Sequence, residues 1–450
     1  MSKKPKLETW SSRFGFVMAA TGAAVGLGSF WLFPFNVGQY GGSAFVLVYL
    51  LCVIIVGVPA LAGEIILGKI TKKNPIAALQ EISDKYKSTK LIKLIGIMGI
   101  ISLFMVLSFY SVAAGWSVAY TGYAILGEFN STNHEIIQNI WLTLINSPKS
   151  LLFYHSLFMF ATMYIVNQGV KKGIEFASKL MMPTLFFILL ALVAHSSTTT
   201  GFTQAIDYLF SFDSSKLTNT VILAAIGQAF FNLALGAGCM LVYGCYIPKG
   251  ENVGSNVTVI AIINTVVSLL AGLAIFPLVF SYNLEPASGP GLMFLTLPIA
   301  FAQMKAGYII GIAFFVLLLF AAITSSISLA EPLVMLVSDK LKYSRKKSSI
   351  IIGIAAWACG INALLSFNVL SDVKIMGKYT FFEILIGIPS NIFLPLGVLG
   401  FSLVAGWIIP RKISKEHLGF KCKHIYNAWL FSVRYIAPLC ITVVILSNLI

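Results

Sequence analysis

Apolar stretches long enough to cross a bilayer recur along the whole of this 450-residue chain, near residues 12–36, 41–68, 94–126, 150–167, 174–195, 219–246, 255–284, 308–337, 349–367, 380–409 and 426–450. About 18 continuous apolar residues make a helical span, whereas a membrane strand would show about ten of alternating character. These runs are long and continuously apolar, and a helix satisfies its own backbone in lipid, so about eleven transmembrane helices are expected. With 58% hydrophobic and only 10% charged residues, too little polar surface remains to coat a particle of this size in water. The expected class is an all-α membrane protein, with the lipid bilayer as its solvent.

The net charge of +15 would suit nucleic acid if it were gathered on one face, but it is sorted by loop. With the amino terminus inside, Lys3, Lys4 and Lys6, the 69–93 loop, Lys171 and Lys172, the 340–347 segment and the 411–423 segment all fall on one side. The alternate loops hold Glu128, Glu135, Asp207, Asp213, Glu285 and Asp372 against Lys149, Lys216, Lys305, Lys374 and Lys378. This is the positive-inside pattern, and it makes the first face cytoplasmic. An odd number of spans then puts Ile450 on the outer side. Nucleic acid is not an expected partner. No cleavable leader is expected either, because the basic start runs into a full-length span. Five of the six cysteines (Cys52, Cys239, Cys245, Cys359 and Cys440) lie in spans and Cys422 lies in an inner loop, so disulfides and thiolate metal sites are not expected.

Two spans carry glycine-rich interruptions at mid-membrane. The first reads TGAAVGLGSFWLFPFNVGQYGG, with Gly22, Gly26, Gly28 and a closing Pro34; the sixth reads GQAFFNLALGAGCMLVYG, with Gly227, Gly236 and Gly238. Irregular backbone is tolerated at that depth only where it lines a protected cavity. The breaks are five spans apart, as two inverted five-helix repeats would give, and a binding site at the midplane follows. Freed carbonyls there attract a cation such as sodium, and the amino end of a half-helix attracts a carboxylate. Close helix packing through small residues is the competing explanation for either segment alone.

These motifs, GAAVGLGSFWLFPFNVGQYGGSAF, GQAFFNLALGAG and LFAAITSSISLAEP, resemble the neurotransmitter:sodium symporter family over nearly the whole chain, and the length resembles its eleven-span bacterial amino-acid members. The resemblance implies a five-plus-five inverted repeat with broken helices 1 and 6, and sodium-coupled alternating access in a bacterial inner membrane. It divides the chain into a cytoplasmic segment 1–11, a first repeat 12–195, an outer loop 196–218, a second repeat 219–409, an inner loop 410–425 and a last helix 426–450.

The resemblance also implies sites. One sodium would take backbone oxygens of Gly22, Val25 and Ala321 and the hydroxyls of Thr324 and Ser325. Five uncharged oxygens suit a monovalent ion that must be released; back-bonding of the hydroxyls to their own helix is the alternative. The second sodium would take Ala24, Ser29, Asn232, Asn264 and the substrate carboxylate. Here the chain departs from the family, with Ser29 where Asn is usual and Asn232 where Ser or Thr is usual. Tyr49, Gln228, Asn232, Asn264 and Ser268 match positions around chloride in dependent members, and no nearby acid replaces the anion, so chloride is a candidate co-ion. Gly26 stands where monoamine carriers have an aspartate, so the expected substrate is an amino acid bringing its own carboxylate to the Gly28 amide, the Tyr110 hydroxyl and sodium. Ala24, Val106, Tyr110, Phe231, Ala234, Ala237, Ser325 and Leu329 would complete the pocket. Small Ala234 and Ala237 leave room for large aliphatic or aromatic side chains.

At the outer gate the usual arginine and aspartate are replaced by Leu32 and Ile386, implying an apolar closure, with Glu383 one turn away as a candidate remnant. At the inner gate Tyr246 and Asp339 match. The usual arginine aligns with Leu7, Lys6 is a substitute, and Trp10 is either a plug or an interfacial anchor. Glu64 matches a glutamate that braces the broken sixth helix. Glu331 is either a proton site or a border of the inner vestibule. Gly173 and Pro183 match a segment of the fifth span that unwinds, against an ordinary proline kink. A membrane enzyme is disfavoured, because the spans hold no paired aspartates, two-histidine motif or nucleophile beside a base, and His134, His155, His195, His417 and His424 lie at or near span ends. A transporter-like sensor without full transport is the remaining alternative.

Overall fold

The structure, a computed structural model, describes residues 8–131, 133–248, 250–284, 291–375 and 377–449. Expectations resting on Lys3, Lys4, Lys6, Leu7, Glu285 and Ile450 lie outside these residues. Among the described residues, nine helices are long and apolar enough to cross a membrane unbroken, and a further pair is bent by 52°. We label the spans α1 (Arg13–Ala24 and Gly28–Gln39), α2 (Ser43–Thr71), α3 (Ile92–Leu126), α4 (Pro148–Asn167) and α5 (Val170–Ser196). There follow α6 (Asn219–Asn232 and Cys239–Cys245), α7 (Val253–Ser281), α8 (Gly307–Leu341), α9 (Arg345–Leu365), α10 (Phe381–Ile408) and α11 (Lys423–Ser447). The expected spans are recovered to within a few residues, and both expected breaks are present.

Local signals set the helix ends. Ser12 caps α1 through the Gly15 amide, and Thr218 caps α6 through the Val221 amide. Thr380 and Glu383 form a reciprocal capping box at the start of α10. Glu383 is thereby spent on the Thr380 amide and hydroxyl at 2.7 and 3.0 Å, which corrects its assignment as a remnant of an outer gate.

The helix contacts carry the repeat. α6 packs on α2 as α1 packs on α7, α5 on α8 as α10 on α3, α4 on α8 as α9 on α3, and α5 on α7 as α10 on α2. The pairs α3–α8 and α4–α9 map onto themselves when five is added to each number. Such a contact pattern is what two five-helix repeats related by a pseudo-two-fold axis require. The axis passes between the two broken spans, so their interruptions meet at mid-membrane. α11 stands outside the repeat, against α10 and α6.

Candidate functional site

In α6 the helix stops at Asn232, and the backbone of Ala234, Gly236 and Gly238 turns left-handed, with φ of 51°, 89° and 87°. A Cβ on Gly236 would overlap the Leu394 carbonyl and come within 2.9 Å of Val398, so α10 lies against bare backbone here. The freed amides are not left to lipid. Glu64 of α2 accepts from Gly236 N–H at 2.9 Å and from Gly238 N–H at 3.1 Å, one amide to each carboxylate oxygen. This carboxylate is 1% exposed, so it acts as the internal solvent of the break.

In α1 the break runs from Val25, whose ψ of 94° ends the first half, to Gly28. Its oxygens face α8. The Ser325 hydroxyl lies 3.1 Å from Gly22 O and 3.4 Å from Val25 O, while the Thr324 hydroxyl lies 3.1 Å from Ala321 O. Ser325 thus meets the Gly22 and Val25 oxygens across α1 and α8, while Thr324 meets the Ala321 oxygen within α8 and also bonds back to Phe320 O at 3.0 Å.

The residues expected around the second sodium divide into two groups. Ser29 Oγ reaches Asn264 Oδ1 at 3.4 Å. Asn232 turns the other way: its amide donates to Tyr49 Oη at 3.0 Å and Ser268 Oγ at 3.2 Å, and its oxygen accepts from Gln228 at 2.8 Å. Gln228 also donates to Gly28 O at 3.3 Å, and Ser268 to Asn264 O at 3.0 Å. The polar group expected to cradle chloride is thus largely closed on itself. The Asn264 amide nitrogen, fully buried, has no partner in this network.

Between the two breaks lies a pocket lined by every residue expected to meet substrate: Ala24, Gly28, Val106, Tyr110, Phe231, Ala234, Ala237, Ser325 and Leu329. Gly26 is also on its wall, and a Cβ there would overlap Ser325 Oγ and lie 3.1 Å from the Tyr110 hydroxyl. That hydroxyl accepts from the Leu27 amide at 3.4 Å. Ala23, Leu27, Leu103, Leu235, Cys239, Ser328 and Leu394 complete the wall and were not expected. Leu103 falls one turn before Val106 on α3 and Ser328 one turn after Ser325 on α8, so helical spacing could have found them. Leu394 comes from α10, and no local signal marks it.

Above the pocket a cavity of about 690 Å³ is lined by Trp31, Leu32, Phe109, Phe231 and Ile386, among others. Leu32 and Ile386 both border this vestibule. The inner side is packed. Trp10 is only 2% exposed, donates through Nε1 to Tyr243 O at 3.0 Å and sits edge-on to Tyr243 and Tyr246, packed inside the bundle. Beside it the Tyr246 hydroxyl donates to Glu331 at 2.6 Å, and Arg345 pairs with both Glu331 oxygens, one at 3.0 Å. Glu331 thus has a structural partner on each side. Asp339, expected with Tyr246 at the inner gate, is exposed and accepts from Asn74 at 2.9 Å. Arg345 was missed because it follows Glu331 only across the α8–α9 turn. The segment before α1 is tied to α5: Glu175 accepts from Ser11 N–H at 2.8 Å and Glu8 accepts from Val170 N–H at 2.7 Å. α5 itself is continuous through Gly173 and Pro183, with a wide turn over Val170–Glu175. The site is thus open on the side of Trp31 and Ile386 and packed on the side of Trp10.

Comparison with known proteins places this geometry. The model of the sodium:neurotransmitter symporter family matches residues 7–143 and 139–450. A sodium-dependent transporter of Bacillus subtilis (strain 168) is 40% identical over 445 residues, covering 97% of both chains. A sodium-dependent transporter of Haemophilus influenzae is 34% identical over 449 residues, covering 98% of both. Among solved structures, MhsT in complex with L-phenylalanine superposes with a TM-score of 0.91 at 38% identity, covering 98% of this chain and 99% of that one.

Proposed function

The chain belongs to the sodium:neurotransmitter symporter family, and on that premise we propose that it imports large aliphatic or aromatic amino acids by coupling them to sodium. It is a transporter and not an enzyme, a multi-pass integral membrane protein that depends on sodium. The observation that carries the substrate reading is the pocket between two unwound turns, where Gly26 and Gly28 leave peptide dipoles bare and Ala234, Ala237, Val106 and Phe231 supply an apolar wall. A zwitterion suits such a place, since its carboxylate can meet the amino end of the second half of α1 and its ammonium the carbonyls of α6. The solved complex of MhsT with L-phenylalanine supports the same class.

In this reading Gly22, Val25, Ala321, Thr324 and Ser325 hold one sodium, and Ala24, Ser29, Asn264 and the substrate carboxylate hold a second, with Asn232 turned away to steady the site from behind. Trp10, Tyr246 and the Glu331–Arg345 pair close the inner path, while Leu32 and Ile386 close the outer one by apolar contact. The repeats 12–195 and 219–409 together enclose the site, which opens to each side of the membrane in turn. The basic loops support a cytoplasmic amino terminus and an external carboxyl terminus in a bacterial plasma membrane.

Uptake of labelled L-phenylalanine into proteoliposomes under an inward sodium gradient tests the substrate class. Unlabelled leucine, phenylalanine and tryptophan should compete, and alanine should compete at least about tenfold more weakly, because burying a large apolar side chain is worth about 1.5–3 kcal/mol. Glycine or alanine outcompeting the large side chains would contradict it.

Chloride is expected to be dispensable. The hydrogens of the Asn232 and Gln228 amides that an anion would attract are already accepted by Tyr49, Ser268, Gly28 and Asn232 oxygens. Replacing chloride by gluconate should leave the initial uptake rate unchanged; a rate that falls with chloride removal and recovers on its return would show that an anion opens this network.

A further inference from the structure

Cations inside the spans are costly and normally matched by carboxylates or carbonyls. Lys179 pairs with Glu175 at 2.6 Å, Arg345 pairs with Glu331, and Lys69 is sunk on backbone carbonyls including His417 O at 3.3 Å. Arg434 of α11 is different. Its Nε–H donates to Gly406 O of α10 at 2.6 Å, and the guanidinium carbon lies 4.7 Å from the centre of the Trp407 ring. Among the described residues no carboxylate pairs with it, and its other N–H groups, four of the five a guanidinium carries, meet no protein acceptor.

The surroundings hold this charge in a fixed place. Wide helical turns over Val404–Ile408 and Ser432–Ile436 pack against each other, and such turns are frequent at functional positions. Gly406 supplies the seat, since a Cβ there would come within 3.0 Å of Arg434 Cγ. Trp407 Nε1 reaches Arg434 O at 3.4 Å, and the Tyr435 ring stands edge-on to Trp407 at 5.6 Å. Both aromatic rings are about half exposed, at 52% and 50%, on the outside of the bundle and away from the transport path. Gly406 lies one short turn before Pro410, Arg411 and Lys412, where α10 meets the basic inner loop. A long arginine stem reaches the inner headgroup plane from that depth, and tryptophan and tyrosine favour the same level. A guanidinium with free, planar donors matches a phosphate in both charge and shape.

We propose that the crevice between α10 and α11, with Arg434 framed by Trp407 and Tyr435, binds the phosphate headgroup of an anionic lipid of the inner leaflet. The lipid supplies the anion that the protein does not, and its acyl chains lie along the exposed rings. The proposal does not depend on which amino acid is carried.

The full-length protein, purified and stripped of lipid, is titrated with phosphatidylglycerol, phosphatidylcholine or inorganic phosphate, and its melting temperature and retained lipid by native mass spectrometry are read. Phosphatidylglycerol should raise the wild-type melting temperature and remain bound, whereas phosphatidylcholine and inorganic phosphate at equal concentration should not. Arg434→Gln should lower phosphatidylglycerol retention about tenfold, as expected for one charge-assisted contact, and Arg434→Lys should lower it less. Trp407→Leu keeps the charge and serves as the second variant, expected to weaken retention by removing the ring. Equal phosphatidylglycerol shifts in wild type and Arg434→Gln would overturn the proposal. So would a matching shift from inorganic phosphate, which would make this a free-anion site, or a wild-type dimer that Arg434→Gln dissociates, which would make a second copy of the chain the occupant.

Discussion

Glu64→Ala should abolish sodium-driven uptake while leaving the protein inserted in the membrane. The carboxylate accepts from two amides of the unwound α6 turn, Gly236 at 2.9 Å and Gly238 at 3.1 Å, in a place closed to water. Removing it leaves two buried donors without acceptors, at about 1–3 kcal/mol each. The left-handed backbone at Ala234, Gly236 and Gly238 is then no longer the preferred state, and the pocket wall formed by Phe231, Ala234 and Ala237 shifts with it. Glu64→Gln keeps one acceptor and faces an amide with a second donor, so it should fall between Ala and wild type. Substrate binding to purified protein, with circular dichroism to show retained helix, separates loss of the site from loss of the fold. A Glu64→Ala protein that transports at the wild-type rate would mean that the α6 turn holds its shape without this brace.

The second large effect is expected at α8. Ser325 Oγ lies 3.1 and 3.4 Å from the Gly22 and Val25 carbonyls, and Thr324 Oγ1 lies 3.1 Å from Ala321 O. With each hydroxyl contributing about 1.5–3 kcal/mol to a charge, as hydrogen bonds to charged groups do, Ser325→Ala should raise the sodium concentration for half-maximal uptake about 10- to 100-fold. Thr324→Ala combined with Ser325→Ala should abolish sodium-driven uptake. Sodium titrations of uptake read this directly. Thr324→Ser, which keeps the oxygen, should behave like wild type. If the double variant retained the wild-type sodium dependence, these hydroxyls would be only back-bonds within α8, the other role that the contact of Thr324 to Phe320 O allows.

Much of the fold is legible in the chain because lipid makes the rules strict. A span must be long and apolar, so α2, α3, α7 and α8 announce themselves by composition alone, and irregular backbone at mid-span must be protected, so the glycines of α1 and α6 point to a cavity. The pocket-lining residues of α1, α6 and α8 lie in the quoted motifs, and Val106 and Tyr110 of α3 came from the resemblance. What stayed hidden depends on how helices are rotated against each other. Leu394 enters the pocket from α10 with no motif of its own, and Arg345 meets Glu331 only after the chain has turned. The contact of Asp339 with Asn74 likewise depends on how α8 is turned toward the segment after α2, and no motif marks it. The Thr380 and Glu383 pair is a visible capping signature, two residues with one local task, and reading Glu383 as a gate passed over it. The exchange of Ser29 and Asn232 was legible as an exchange, yet only the geometry gives its sense, since Asn232 faces Tyr49 and Ser268 while Ser29 stays with Asn264.

The two unwound turns are expected to bind a metal ion and a zwitterion together, each completing the other's site. Equilibrium binding of labelled L-phenylalanine to the purified protein in sodium chloride and in potassium chloride tests it most directly, because an ion that shares the site must shift the amino acid's apparent affinity. Saturable binding in sodium that is lost in potassium is the predicted result. Equal affinity in the two salts would contradict it, since the amino acid would then bind without the ion.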